Sequence, residues 1–272
     1  MDDGSSDGTG RVATAYGAIV LTSPHVGVVG VRNQGLARVD APFVAFVDSD
    51  DVWLPSFAER QAEIWRSAEP SLAAVGCLVE AFGEGNLQAW QGPLARGGFR
   101  ELGVEEVWDR NPLTASTIVF RAEALRAIRG WREGYTPTDD YDTSLRLVSA
   151  GYRVGLLQEV LARYRVRNGS WSSRAKASLE SEEKTLWDFW SSSFRQETLP
   201  ALSYTPRIRA LWWRTLARAA QYGQDLRDVP TPSDNLHPTL NMRAAHAALR
   251  LPGAASATGV MWREWRRRRP RA

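Results

Sequence analysis

The chain has 272 residues, 43% of them hydrophobic, which is ample for a buried core, and a formal net charge of +3. No window reaches the roughly 18 uninterrupted apolar residues that a membrane-crossing helix requires, and the acidic N-terminus lacks the apolar stretch of a signal peptide. The single Cys77 excludes an internal disulfide framework and a multi-cysteine metal site, so a cytoplasmic location is the default expectation.

The first ten residues, MDDGSSDGTG, place Asp2, Asp3 and Asp7 among glycines and small hydroxylated residues, which is turn and ligand-loop chemistry. The next clear element is the apolar run Phe43 to Val47, suited to a strand buried on both faces of a sheet. It ends abruptly in Asp48, Ser49, Asp50 and Asp51, and in open α/β sheets ligands bind beyond the carboxyl ends of strands. Carboxylates this closely spaced suit Mg2+ or Mn2+, which are held by one or two carboxylates together with substrate phosphates. The plain alternative is an ordinary acidic turn.

A helix is predicted from Pro55 and Ser56, with Phe57, Ile64 and Trp65 facing inward and Pro70 beyond its end. Residues 72–80, LAAVGCLVE, read as a second buried strand, and 83–112 as loop with at most one short element. STIVFR (116–121) reads as a strand, followed by the helix AEALRAI closed at Gly130. A further helix starts near Thr138 or Asp139, either of which could cap it, with Tyr141, Leu145 and Val148 on one face and Gly151 as its stop. Its first turn gathers Asp139, Asp140 and Asp142; capping needs one carboxylate, so three call for another explanation. Alternating strands and helices predict an α/β layered fold.

Beyond residue 175 the texture becomes helical, with stripes at Leu179, Leu186, Trp187, Trp190 and Phe194 and at Ile208, Leu211, Trp212, Leu216 and Ala219. Pro200, Pro206, Pro230 and Pro232 mark expected breaks. Charge divides along the same line: residues 1–174 carry 18 Lys and Arg against 22 Asp and Glu, and residues 175–272 carry 16 against 9. The predicted organisation is a domain over 1–174 and a helical extension over 175–272. The extension ends in WREWRRRRPR, read either as a solvated tail or, with Trp262 and Trp265, as a contact with anionic lipid headgroups.

Four segments in order resemble family 2 glycosyltransferases of the GT-A fold: DDGSSDGT (2–9), VRNQGLARVDAPFVAFVDSDDVWLP (31–55) with its DXD-type acidic motif, GWREGYTPTDDYDTSLRLVSAGYRV (130–154), and YRVRNGSWS (164–172). The resemblance implies a Rossmann-like open sheet with helices on both faces and a metal-dependent, inverting transfer of sugar from a nucleotide-diphosphate donor. Asp3, with Asp2 beside it, would contact the base or ribose; Arg32 and Asn33 would lie along the nucleotide, and Gly35 would permit close backbone approach. Asp48 would touch the ribose side and share the metal, Mn2+ or Mg2+, with Asp50, and Asp51 would stand near the donor sugar. Asp140 would be the general base, and Arg165 and Arg167 would serve the diphosphate.

Two departures from the family pattern stand out. Many relatives carry a His near the position of Arg167, and Arg cannot ligate a metal as neutral imidazole can. Family members also begin with a strand, a helix and a second strand before the Asp-Asp-Gly-Ser loop, whereas this chain starts inside it. The resemblance therefore predicts roughly thirty to forty residues upstream, the usual length of such a unit, with sheet edges left exposed without them. The expected acceptor is a glycan or lipid-linked molecule, at the inner face of the membrane if the basic tail makes peripheral contact there; no nucleic acid is expected. The alternative is a truncated, non-catalytic relative acting as a binding module. A basic-tail adaptor and a two-carboxylate glycoside hydrolase rank lower, the former because the front half is acidic.

Overall fold

A computed structural model of the chain describes residues 1–84, 97–167, 174–192, 204–221 and 224–230. The chain divides into two compact units, one of Met1–Phe82 with Trp90–Arg165 and one of Gly83–Ala89 with Val166–Ala272.

The first unit is built on an open six-stranded sheet in the order β1 (Phe43–Ala45), β5 (Val119–Arg121), β3 (Leu72–Gly83), β6 (Arg153–Val166), β2 (Val52–Trp53), with β4 (Phe99–Leu102) also on β6. β1 with β5, β3 with β5, and both β2 and β4 with β6 run antiparallel. β3 is interior to the sheet, and its first seven residues, Leu72 to Leu78, are all buried, as a continuous apolar run flanked by strands requires. Besides its neighbour β3, β6 takes two further partners along its length, β4 at Val154 to Leu157 and β2 at Ala162 and Arg163.

α3 (Phe57–Arg66) turns Phe57, Gln61 and Trp65 inward, one turn apart as a 3.6-residue period dictates. Phe57 and Trp65 join Leu72, Val75, Cys77, Val119, Leu157, Leu161 and Ala162 in a common core. Trp53 stacks on Phe57 with centroids 4.3 Å apart, and Phe43 tilts against Trp65 at 4.6 Å. Gln61 is half-satisfied inside: its Nε2 donates to Val75 O at 3.1 Å, while its Oε1 is buried without a partner.

Several expectations are corrected. The run 43–47 is not buried on both faces: β1 stops at Ala45, Val44 alone is buried, and Val47, beyond the strand, is 45% exposed; among the described residues β1 ends the sheet and pairs with β5 alone. Residues 83–112 hold two elements where at most one was expected, β4 and α4 (Val104–Asp109), while 85–96 lie outside the described residues. The strand expected at 116 begins at Val119, after a 3-10 turn at Ala115–Thr117. Two helices without a strong apolar period precede the sheet: α1 (Thr9–Ala15), which buries no residue, and α2 (Gly27–Leu36), which buries Val29, Arg32 and Leu36. α5 (Ala122–Ala127) and α6 (Asp139–Ser149) stand where the sequence puts them, with Tyr141, Leu145 and Val148 buried.

In the second unit, α7 (Ala175–Trp190) packs on α8 (Tyr204–Gln221). Leu179, Leu186 and Phe189 are buried on the first, and Ile208, Leu211, Trp212, Leu216 and Ala219 on the second. Glu182 joins them as well, accepting from Arg207 Nη2 at 2.9 Å and Arg214 Nη2 at 3.0 Å. Trp187, expected on the inner stripe, is 39% exposed; Phe189 takes the inward place. Pro206, expected as a break, lies in the first turn of α8, where a missing N–H removes no helical bond. Phe194, Pro200, Pro232, residues 168–170 and the Trp262 to Arg271 tail lie outside the described residues.

Candidate active site

The acidic loop after β1 is held from two directions. From the 3-10 turn, Ser116 Oγ accepts the Asp48 N–H at 3.1 Å, and Ser116 O accepts Trp53 Nε1 at 2.6 Å. From β6, the Arg165 N–H donates to Asp51 Oδ1 at 2.8 Å and Arg165 Nε to Asp50 O at 3.0 Å. The Arg165 guanidinium lies 4.3 Å from the centre of the Phe82 ring. Arg165, expected at the diphosphate, thus braces the loop backbone. Burial pushes the Asp51 carboxyl above its ordinary range, against the Ser116 hydroxyl and the Arg165 amide. Asp51 Oδ2 is buried with no hydrogen-bond partner, an acceptor left over by the fold.

The first turn of α6 explains why it carries three acids. No side chain caps this helix; the Thr138 hydroxyl donates instead to Tyr135 O at 3.1 Å. Asp142 pairs with Arg132 and with Arg146 Nε, the latter at 2.8 Å, and Asp139 pairs with Arg32. Asp140 meets only backbone in the contacts resolved for it, accepting the Ala115 N–H on Oδ2 at 3.2 Å and the Tyr141 N–H on Oδ1 at 2.7 Å. It is half-buried. Burial first and the Asp139 charge second push its carboxyl up to about 7, against the opposing pull of those amides and of Arg32.

Arg32, on α2, is 7% exposed. Its Nη2 reaches Asp48 Oδ1 at 2.6 Å while its Nη1 holds Asp139 Oδ2, and it lies 6.0 Å from the centre of the Trp131 ring. Asn33 closes a two-way link to Trp131, donating from Nδ2 to its carbonyl at 2.9 Å and accepting its N–H at 3.0 Å. Gly130 makes room for this: its φ is +65°, and a Cβ there would stand 2.3 Å from Asn33 Oδ1. Gly35 is less constrained, since a Cβ would meet Met1 and Phe46 at 3.5 and 3.6 Å.

Asp3 caps α2 from 23 residues upstream, its two oxygens taking the Val26 and Gly27 N–H groups at 2.8 Å each. Although burial pulls the other way, these amides hold its carboxyl below the usual range. Asp2 Oδ1 accepts the Ser5 N–H at 2.8 Å. The structure therefore brings Arg32, Asp48, Asp50, Asp51, Asp140 and Arg165 together, with Asn33 beside them. Arg167 is exposed and belongs to the second unit. Ser116, Ala115 and Asp139 complete the constellation; the acidic dipeptide at 139–140 marks the last of these in the sequence, and nothing marks the first two.

Among the described residues no three His, Cys, Asp or Glu side chains gather to hold a metal ion by themselves, and no helix is long and apolar enough to cross a membrane. What the arrangement offers is a carboxyl raised by burial and held on the 115–117 turn, the same turn that holds the acidic loop through Ser116.

Residues 1–129 match the model of Glycosyl transferase family 2. A Bacillus subtilis (strain 168) protein named "Putative glycosyltransferase EpsE" is 27% identical over 77% of this chain and 76% of its own length. The amylovoran biosynthesis glycosyltransferase AmsE of Erwinia amylovora is 29% identical over 56% of this chain and 54% of its own. The pre-mycofactocin glycosyltransferase of Mycobacterium tuberculosis (strain CDC 1551 / Oshkosh) is 30% identical over 57% of this chain, which spans only 34% of that protein. Among solved structures, the mannosyltransferase PcManGT from Pyrobaculum calidifontis, in complex with GDP-Man and Mn2+, shares the fold with a TM-score of 0.55. The match covers 96% of this chain and 76% of that one at 16% identity.

Proposed function

We propose that the chain, whose residues 1–129 match the Glycosyl transferase family 2 model and whose fold is shared with a GT-A mannosyltransferase, is a member of that family and transfers a sugar with inversion from a nucleotide diphosphate to a hydroxyl of a glycan or lipid-linked acceptor. The observation that carries this reading is Asp140, half-buried, anchored to two backbone amides and titrating at about 7. A general base works best when its proton affinity lies close to the working pH. In the proposed step the Asp140 carboxylate accepts the proton of the acceptor hydroxyl, whose oxygen forms the new bond at the anomeric carbon. The bond from that carbon to the diphosphate breaks on the opposite face, and the electron pair leaves with the phosphate oxygen.

The acidic loop fits a divalent cation as a partial ligand set. Asp50 and Asp48 would hold Mn2+ or Mg2+, with phosphate and water completing a shell that the protein alone does not fill. When bound, such an ion neutralises the charge that develops on the departing diphosphate. Asp51 is the proposed donor-sugar residue, its buried and unpartnered Oδ2 having to be uncovered before it could accept from a sugar hydroxyl. Asp3 and Asn33, whose polar atoms are engaged with Val26, Gly27 and Trp131, would shape the nucleotide pocket through the segments they fix. Asp2, Gly35, Arg165 and Arg167 remain the other proposed donor-side residues.

The direct test is hydrolysis and transfer with a panel of nucleotide-diphosphate sugars in the presence of Mn2+ or Mg2+, run beside calorimetric binding of the corresponding nucleoside diphosphates. Metal-dependent release of nucleoside diphosphate from one donor, abolished by chelation, is the expected result. Nucleotide binding without turnover on any donor would favour the non-catalytic module.

A further inference from the structure

We propose that Arg32 is the positioning residue of this site, joining the acidic loop to the first turn of α6 and neutralising Asp139 next to the base. The inference rests on the reading of Asp140 as that base. It starts from an oddity of placement: a guanidinium 7% exposed, on a helix with little apolar period, flanked by two carboxylates from distant parts of the chain. Asp139, 107 residues away, is itself 8% exposed at its side chain, while Asp48 is 41% exposed and follows β1. A single fork thus spans the two halves of the proposed chemistry, one that would hold the donor and one that would deprotonate the acceptor. A planar guanidinium suits this, since its separate N–H groups can serve two carboxylates in fixed geometry.

The same contact has an electrostatic consequence. Asp139 and Asp140 are neighbours in sequence, and an ionised Asp139 disfavours a second negative charge beside it. Burial is the largest influence raising both carboxyls, and Arg32 opposes the rise at each. Asp48 and Asp142 also act on Asp139, Asp142 being paired with Arg132 and Arg146. From the 115–117 turn Asp140 meets a backbone amide. α4, packed on α6, carries Glu105, Glu106 and Asp109, with Glu106 ion-paired to Arg100. Among these groups Arg32 is the cation that links Asp139 to the acidic loop.

The test compares the full chain with Arg32→Met, Arg32→Lys and Asp139→Asn. The Asp140 carboxyl is followed by infrared difference titration, its band assigned by loss in Asp140→Asn, alongside the pH dependence of kcat/KM. Arg32→Met should make Asp140 hold its proton about tenfold more tightly, and the isosteric Asp139→Asn about tenfold less tightly, the low end of what one nearby charge does. Arg32→Lys should restore the titration but not full turnover, because it keeps the charge and loses the fork. Should Arg32→Met fail to fold, Asp139→Asn still carries the test. An Asp140 titration unmoved in the folded variants, with Arg32→Met raising only KM for the donor, would overturn the proposal and make Arg32 a nucleotide contact. The infrared readout needs no turnover, so an inactive wild type whose carboxyl still responds would refute the transferase reading and not the role of Arg32.

Discussion

The N-terminal loop and the first turn of α6 each carry three aspartates, and the fold uses them in opposite ways. In the loop, each carboxylate takes nearby backbone N–H groups, Asp2 from Ser5, Asp3 from Val26 and Gly27, and Asp7 from Thr9. All three are held below the ordinary carboxylate range. In α6 two aspartates meet arginines, yet burial still raises Asp139 against the pull of Arg32, and the third, Asp140, rises to about 7. Composition is equal in the two places; burial and the position of the nearest cation decide which carboxyl keeps a proton near neutral pH.

The largest expected effect breaks the comparison on the α6 side. Asp140→Asn should lower turnover by about 10²–10⁴-fold while nucleoside diphosphate affinity stays near wild type, as read from transfer kinetics and calorimetry. Full turnover in that variant would remove Asp140 as base. In wild type kcat/KM should rise with pH through about 7 as Asp140 ionises, and that limb should vanish in Asp140→Asn.

A stability measurement sharpens the same contrast. Asp142→Ala removes a carboxylate 3% exposed that accepts from Arg132 and from Arg146, which keeps the Ile128 and Gly130 carbonyls, and should cost about 2 kcal/mol in denaturant unfolding, as for a lost hydrogen bond to a charged group. The two acidic regions should also bend the pH dependence of stability in opposite directions. Asp140, raised on folding, stabilises the fold fully below its unfolded value near 4 and loses that contribution as pH rises through about 7. Asp3, lowered on folding, contributes above its unfolded value and loses the contribution as pH falls through its depressed one. The smallest effect is local: Asp3→Ala should speed hydrogen exchange at Val26 and Gly27, which lose their acceptor, and leave the Asp140 titration unchanged.

How much of this was legible depended on whether the deciding contact was near in sequence. The buried run of β3, the inward face of α3, the Tyr141, Leu145 and Val148 stripe and the inner positions of α8 follow from local period, and the structure keeps them. The cluster at 48–51 was visible as an abrupt change from apolar to acidic. α2 was not visible, because GVVGVRNQGL has two interior glycines and receives its cap from Asp3. The roles of Asp139 and Arg32 were hidden for the same reason, as was Ser116, an ordinary serine until the 3-10 turn sets it under Asp48 and Trp53. Val47 and Trp187 are apolar residues whose exposure depends on which neighbouring element is present, and period alone does not report that.

Besides β3, β6 pairs with β4 and β2, and this has a consequence for how the chain can change its length. β4 lies against Val154 to Leu157 and β2 against Ala162 and Arg163, with Arg165 just beyond holding the backbone of Asp50 and Asp51. A strand alternates faces with every residue, so one residue added or removed between 158 and 161 would leave the β4 pairing in phase and turn everything after it to the opposite face. The acidic loop would then lose its brace without any of its own residues being altered. That stretch works as a spacer of fixed parity, which evolution can rewrite residue by residue but can lengthen by one only by building a β-bulge there.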